Sequence, residues 1–184
     1  MITRFQQFLQ SYQPDAAYQT RAAYFCMEFA IDQPLKIYSG GLGFLAGSHM
    51  RGAYELKQNL SGVGILWKYG YYDQTRKSDQ TMDVLFGEKV YGFLEKTDIR
   101  FSIQINQNPV WVTAYYLPPE VFGTVPVFLL STDLPENDYL AQTISHKLYD
   151  QNLEARIAAS VLLGIGGGKL LDILILRTGD VSPQ

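Results

Sequence analysis

The period of apolar positions changes several times along the 184-residue chain, and each change predicts an element. Within residues 1–20, Phe5, Phe8 and Leu9 fall at helical spacing and predict a short polar helix that docks by its aromatic side. Ala22–Phe29 (AAYFCMEF) is a continuous apolar run, the pattern of a buried strand. A loop over 32–41 carries Pro34 and closes on Ser39-Gly40-Gly41. From Leu42 to Lys57, the positions Leu42, Leu45, Ala46, His49, Met50, Ala53 and Leu56 recur every three to four residues, as in an amphipathic helix. Gly62–Trp67 (GVGILW) predicts a second strand. Strand, glycine-rich turn, helix and strand make a βαβ unit, which implies parallel pairing with a right-handed crossover.

The middle of the chain alternates instead. Val84–Leu94, Ile99–Ile105 and Val110–Leu117 contain period-two stretches, with Phe101, Ile103 and Ile105 on one face and Ser102 and Gln104 on the other. Asn106-Gln107-Asn108-Pro109 is a turn cluster between two of them. An antiparallel hairpin insertion over about 84–117 is expected. Val125–Leu130 (VPVFLL) then predicts a third buried strand, and helices follow over Tyr139–Tyr149 and Leu153–Leu174. No internal repeat interrupts this order. The expectation is one α/β domain over 1–184, a Rossmann-like parallel sheet flanked by helices and carrying the hairpin.

Composition narrows the function classes. Apolar residues make up 47% and charged residues 18%, the balance of a folded globular chain. The formal net charge is −3 and no Lys/Arg cluster tracks a phosphate backbone, which argues against nucleic acid as partner. The lone cysteine, Cys26, lies in an apolar run and reads as a buried strand thiol, in keeping with a reducing, cytoplasmic setting. Met1–Ala17 lacks the basic region and apolar core of a secretory signal. Ile157–Leu176 is apolar but carries Lys169, Asp172 and four glycines, which predicts a buried or half-buried core helix and no membrane span. One cysteine and two histidines, His49 and His146, build neither a hydrolase triad nor a zinc site, so no metal is expected. His49 is expected half-buried on its helix and His146 solvated. Asp133 and Glu136, flanking Pro135, are expected to serve a turn.

The sharpest chemical feature is Tyr38-Ser39-Gly40-Gly41-Leu42-Gly43, which opens a helix after a strand. Glycines admit a ligand close to the backbone, and the first N–H groups of the helix point outward and favour an anion. The spacing is neither that of a P-loop nor the G-x-G-x-x-G dinucleotide pattern. From the residues alone, a tight turn and an anion cradle both remain open.

The surrounding segments carry a resemblance. Ala23–Phe29 with Tyr38–Ala46 (AYFCMEF and YSGGLGFLA) resembles the glycogen or α-glucan phosphorylase family, in which a strand ending in Glu-Phe precedes a Gly-Gly-Leu-Gly turn. Gly62–Gln74 (GVGILWKYGYYDQ), Val125–Asn137 (VPVFLLSTDLPEN), Lys147-Leu148-Tyr149 and Leu163–Gly167 (LGIGG) match in the same order, so the resemblance spans about residues 22–172. It implies a partial N-terminal lobe of the two-lobed GT-B fold. It also implies phosphorolysis of an α-1,4-glucan such as glycogen or maltodextrin by inorganic phosphate, giving glucose 1-phosphate, with pyridoxal phosphate as cofactor.

By the same resemblance Gly40, Gly41 and Leu42, with Ser39, line the cleft and turn backbone N–H groups toward sugar or phosphate. Glu28 matches the family's cleft glutamate and would orient a cation of the other lobe or the phosphate. The cofactor lysine and the phosphate-gripping basic residues belong to the C-terminal lobe, so this chain is expected to hold no covalent cofactor and to be inactive alone. Residues 175–184 depart from the family pattern. Two other functions are kept: a lobe of a sugar-nucleotide-dependent glucan synthase, and a non-catalytic glucan-binding module stacking sugars on Tyr69, Tyr71, Tyr72 and Trp111. Apolar surface that normally packs on the other lobe predicts self-association, as a homo-oligomer.

Overall fold

A computed structural model describes residues 3–178. Helix α1 (Thr3–Ser11) precedes strand β1 (Ala22–Phe25), helix α2 (Gly41–Glu55) and strand β2 (Leu60–Ile65). β1 and β2 pair in parallel, as the βαβ pattern requires. Strand β7 (Val127–Ser131) lies parallel on the far side of β2. All five of its residues are buried, the mark of a strand covered on both faces.

Two short strands, β3 (Asp73–Arg76) and β4 (Met82–Leu85), form a separate antiparallel ribbon. Strands β5 (Glu95–Ile105) and β6 (Asn108–Leu117) form a hairpin closed by Asn106 and Gln107, both at positive φ, which suits a two-residue turn matched to strand twist. The expected insertion over 84–117 is corrected here. Val84 belongs to the ribbon, and β6 pairs antiparallel with β7, so the hairpin extends the main sheet. The sheet order is β1-β2-β7-β6-β5, two parallel pairs followed by two antiparallel ones. The alternation of hydrophobic positions was compatible with either placement; pairing with β6 satisfies the backbone of β7, which would otherwise be a fully apolar open edge.

Helices cover both faces. α2 lies over Gly62 and Val127 through Met50. The other face takes a helix of three parts: α5 (Leu153–Val161), a π-helical turn (Leu162–Gly166) and α6 (Gly167–Thr178). Gly166 approaches Leu130 and Ile103, and Gly167 lies against the Phe25 ring and Val63. By length and composition the 24-residue run Leu153–Leu176 suffices to cross a bilayer. Its buried residues Ala159, Leu162, Leu163, Leu170 and Leu174 belong to the core, whereas Leu153, Ile157, Ile165 and Leu176 are exposed. Residues 175–178 of the atypical tail continue α6; 179–184 lie outside the described residues. α1 docks as expected, with the Phe5 ring edge-on to Tyr116 and Phe128.

Two expected elements are shorter than their sequence patterns predict. β1 ends at Phe25; Cys26 still donates its N–H to Val63, and the chain then leaves the sheet to bury Phe29 beside Gly62 and Gly64. The helix expected over Tyr139–Tyr149 stops at Thr143 (α4, Tyr139–Thr143), because residues 145–148 run beside the segment after β2. There Lys68 N–H donates to Ser145, Tyr69 N–H to His146, and Leu148 N–H to Gly70. The hydrophobic face of α2 also differs from its periodicity. Gly43, Ala46, Gly47, Met50 and Ala53 are buried, while Leu42, Leu45, His49 and Leu56 face outward. The glycines decide this: a Cβ on Gly43 would lie 2.6 Å from that of Tyr38, and one on Gly47 would lie 2.7 Å from the Ala30 carbonyl carbon. The helix sits directly on the loop that follows β1.

Candidate functional site

Parallel strands place their C-terminal ends on one edge of a sheet, where α/β proteins bind ligands. Here that edge collects the residues following β1, β2 and β7. Glu28 stands three residues beyond β1 and is only 2% exposed. Its Oε2 accepts the Ser39 N–H at 2.6 Å, the Gly40 N–H at 3.3 Å and the Ser39 hydroxyl at 3.2 Å. Its Oε1 accepts the Tyr149 hydroxyl at 2.6 Å. Gly40 caps α2, so the carboxylate also faces the positive end of that helix.

Among the described residues no cation pairs with Glu28. Burial pushes its carboxyl pKa up, but the hydrogen bonds from Ser39, Tyr149 and Gly40 together outweigh burial and hold it below the ordinary carboxylate range. The Tyr149 phenol shifts the other way, raised first by burial and then by the adjacent Glu28 charge.

The predicted cleft residues therefore divide. Glu28, Ser39 and Gly40 are brought together, but the N–H groups of Ser39 and Gly40 are aimed at Glu28 and not outward. Gly41 and Leu42 occupy the first turn of α2 at the surface, and their N–H groups meet no protein acceptor among the described residues. The turn is thus present, and the two N–H groups that follow it are open.

A second group lies along the same edge. Lys68, after β2, pairs with Asp133, after β7, at 2.8 Å, and with Glu88 at 3.6 Å. His146 Nε2 lies 3.4 Å from the other Asp133 oxygen. His146 is buried, against the expectation of a solvated side chain, because the 145–148 segment carries it under the Tyr69 ring. Burial lowers its pKa more than Asp133 raises it. Asp133 is pushed up by burial, but the Lys68 and His146 contacts bring it below its usual value. Glu136 pairs with Arg100, as turn chemistry allows.

Asn137 ends the same turn, and the sequence had not singled it out. Its amide accepts the Trp111 N–H and donates to the Trp111 and Thr132 carbonyls, continuing the sheet where β7 stops. Tyr149 was likewise seen only as part of a short match. His49 is exposed and meets the Tyr24 ring edge-on at 5.1 Å between centroids, not the half-buried backbone partner expected. Tyr69, Tyr71 and Tyr72 are half-buried, with the Tyr71 and Tyr72 rings 4.2 Å apart, and Trp111 is exposed. Among the described residues no three His, Cys, Asp or Glu side chains are grouped to hold a metal. Cys26 is buried, as expected, and burial raises its thiol pKa.

No protein-family model matches the chain. Individual proteins do. It is 56% identical over 149 residues to an uncharacterized protein of Methanocaldococcus jannaschii, covering 81% of this chain and 29% of that one. It is 35% identical over 159 residues to the maltodextrin phosphorylase of Thermococcus litoralis, covering 82% and 19%. It is 33% identical over 162 residues to the glycogen phosphorylase of Mycobacterium tuberculosis, covering 82% and 18%. The chain thus spans 18% to 29% of the length of these relatives. The similarity runs through most of the chain, and it makes this chain an N-terminal portion of the glycogen and maltodextrin phosphorylase family.

Proposed function

We propose that the chain supplies the sugar- and phosphate-facing edge of the N-terminal lobe of an α-1,4-glucan phosphorylase with GT-B architecture. The whole protein would cleave a terminal linkage of glycogen or maltodextrin with inorganic phosphate to give glucose 1-phosphate; this chain alone would be inactive. The observation that supports this best is the division of labour at the glycine turn. Glu28 fixes the Ser39 and Gly40 N–H groups, and the next two donors, on Gly41 and Leu42, open toward solvent at the positive end of α2. Such donors, held in place before a ligand arrives, suit the oxygens of a phosphate or a reacting sugar.

Pyridoxal phosphate, which the family implies, would supply proton transfer through its own phosphate. Residues of this chain do not fit its covalent attachment. Lys68, the lysine drawn into the edge, is held above its usual pKa by its hydrogen bond to Asp133, a protonated state that cannot condense with an aldehyde. Lys147 lies over the Phe86 ring instead. Cofactor attachment therefore belongs to the C-terminal lobe in this proposal. The exposed stripe Leu153, Ile157, Ile165 and Leu176 would pack on further protein, in a cytoplasmic enzyme.

Gly41→Pro tests the reading. Proline is tolerated at the first position of a helix, and Gly40 before it is already extended, so the change deletes one N–H and little else. In amide NMR of the chain, inorganic phosphate should shift Leu42 and Gly41. Phosphate affinity should fall about tenfold in the variant, the worth of one hydrogen bond to a charged group. No shift at either amide up to about 10 mM phosphate, where binding of even ~2–3 kcal/mol would register, would overturn the proposal.

A further inference from the structure

Tyr149 combines three observations. Its hydroxyl donates to Glu28 across 121 positions of sequence, at 2.6 Å. Its backbone is left-handed, with φ 57°, a conformation that a bulky aromatic residue rarely adopts. And it directly follows the segment tied to the strand-end loop of β2, where Leu148 N–H donates to the Gly70 carbonyl. Gly70 is itself at positive φ and pressed against the Lys36 carbonyl, so this loop also braces the approach to the glycine turn. The strained residue is thus held between two anchored segments, and its ring is aimed at the one buried carboxylate of the edge. Strain kept at such a place is a reason to look for a role.

We infer that Tyr149 is a positioning residue: by holding the Glu28 carboxylate, it keeps the Ser39–Gly40 backbone engaged and so sets where the Gly41 and Leu42 N–H groups point. Glu28 has four donors, and three of them come from Ser39 and Gly40 themselves. The Trp67 indole N–H holds the Met27 carbonyl next to Glu28, and the Tyr149 phenol adds the contact that ties the carboxylate itself, and through it the turn, to the 145–148 segment. The assignment makes residues 145–149 part of the site although they are remote from it in sequence, and its functional half rests on the proposed phosphate role of the turn.

Tyr149→Phe keeps the ring and removes the hydroxyl. Backbone hydrogen exchange in the whole chain is the first readout. Exchange at the Ser39 and Gly40 amides should quicken about tenfold or more, the worth of one hydrogen bond to a charged group. Exchange at Leu129 and Leu130 in β7 should stay unchanged. A uniform quickening, or none at Ser39 and Gly40, overturns the positioning role, since a merely structural contact acts on the whole fold. Glu28→Gln, which keeps the shape but weakens every bond at the carboxylate, should give the same local pattern. Phosphate titration of Tyr149→Phe is the second readout, with weaker binding at Leu42 expected. Local quickening with unaltered phosphate binding at Leu42 overturns the control of the Gly41 and Leu42 donors, whereas no phosphate shift at Leu42 in the parent chain removes the phosphate role of the turn and leaves the clamp standing.

Discussion

Replacing Gly47 by alanine should destabilise the protein, although alanine is the better helix former. The gain from propensity is about 1 kcal/mol in a helix interior. Against it stands the loop after β1. A Cβ at Gly47 would fall 2.7 Å from the Ala30 carbonyl carbon and nearer still to its oxygen, closer than real Cβ atoms come to backbone. A backbone carbonyl cannot rotate away as a side chain can, so the loop must retreat. That retreat pulls on the hydrogen bond from Ala30 N–H to the Gly43 carbonyl, now 2.9 Å. Overpacking of this kind costs about 1–3 kcal/mol, and a strained hydrogen bond adds about 1 kcal/mol. The net loss should be about 1–3 kcal/mol. Gly52, on the same helix, is the internal control: a Cβ there meets nothing within 4 Å, so Gly52→Ala should gain about 1 kcal/mol. With a urea slope of about 2 kcal/mol/M, the two midpoints should part by roughly 1–2 M on opposite sides of the parent. A Gly47→Ala midpoint at or above that of the parent would refute the claim that α2 rests on this loop without slack.

Two further outcomes follow from the edge. Asn137→Ala strips partners from the Trp111 N–H and from the Trp111 and Thr132 carbonyls; a loss of about 2–4 kcal/mol in urea unfolding is expected, and an unchanged midpoint would mean water replaces the amide at no cost. Stability should fall on acidification in two stages. His146, lowered from 6.5, stays neutral in the fold while the unfolded chain takes up a proton, so stability declines as the pH drops below about 6.5. Glu28 and Asp133, both lowered, keep their contribution above the ordinary carboxylate range and lose it as the pH falls through their folded values. His146→Gln should flatten the first stage and leave the second, as followed by urea midpoints across pH; a first stage that persists in the variant assigns it elsewhere.

Where one physical signal dominates, the chain could be read in advance. β2 and β7 are largely apolar and overlap their expected runs to within two residues at each end, and the Asn106-Gln107 turn closes its hairpin. Errors arose where burial has more than one cause. Cys26–Phe29 stays apolar after it leaves the sheet, because Phe29 fills the space beneath α2; an apolar run marks burial, not a strand. The packed face of α2 depends on what Gly43 and Gly47 lack, and hydropathy gives no weight to a missing side chain. The glycine turn is legible in its own residues, whereas Glu28 stands out only through the resemblance and not through periodicity. Tyr149 and His146 escaped because their partners lie 121 and 13 residues away and are set by the path of a segment that looked helical.

The π-helical turn at Leu162–Gly166 divides one helix into two stretches with different phase. The wider turn accommodates one residue more than an α-helix would, so α6 is rotated by about 100° relative to a straight continuation of α5. That rotation brings Gly167 onto Phe25 and Val63 and turns Leu170 and Leu174 inward. A single-codon deletion within 162–166 would restore ideal helix geometry and leave every other residue's identity unchanged, yet it would swing the sheet-facing leucines toward solvent. Along this helix the count of residues is therefore a stricter inheritance than their identity: Leu can become Ile or Met at modest loss, but the chain cannot become one residue shorter.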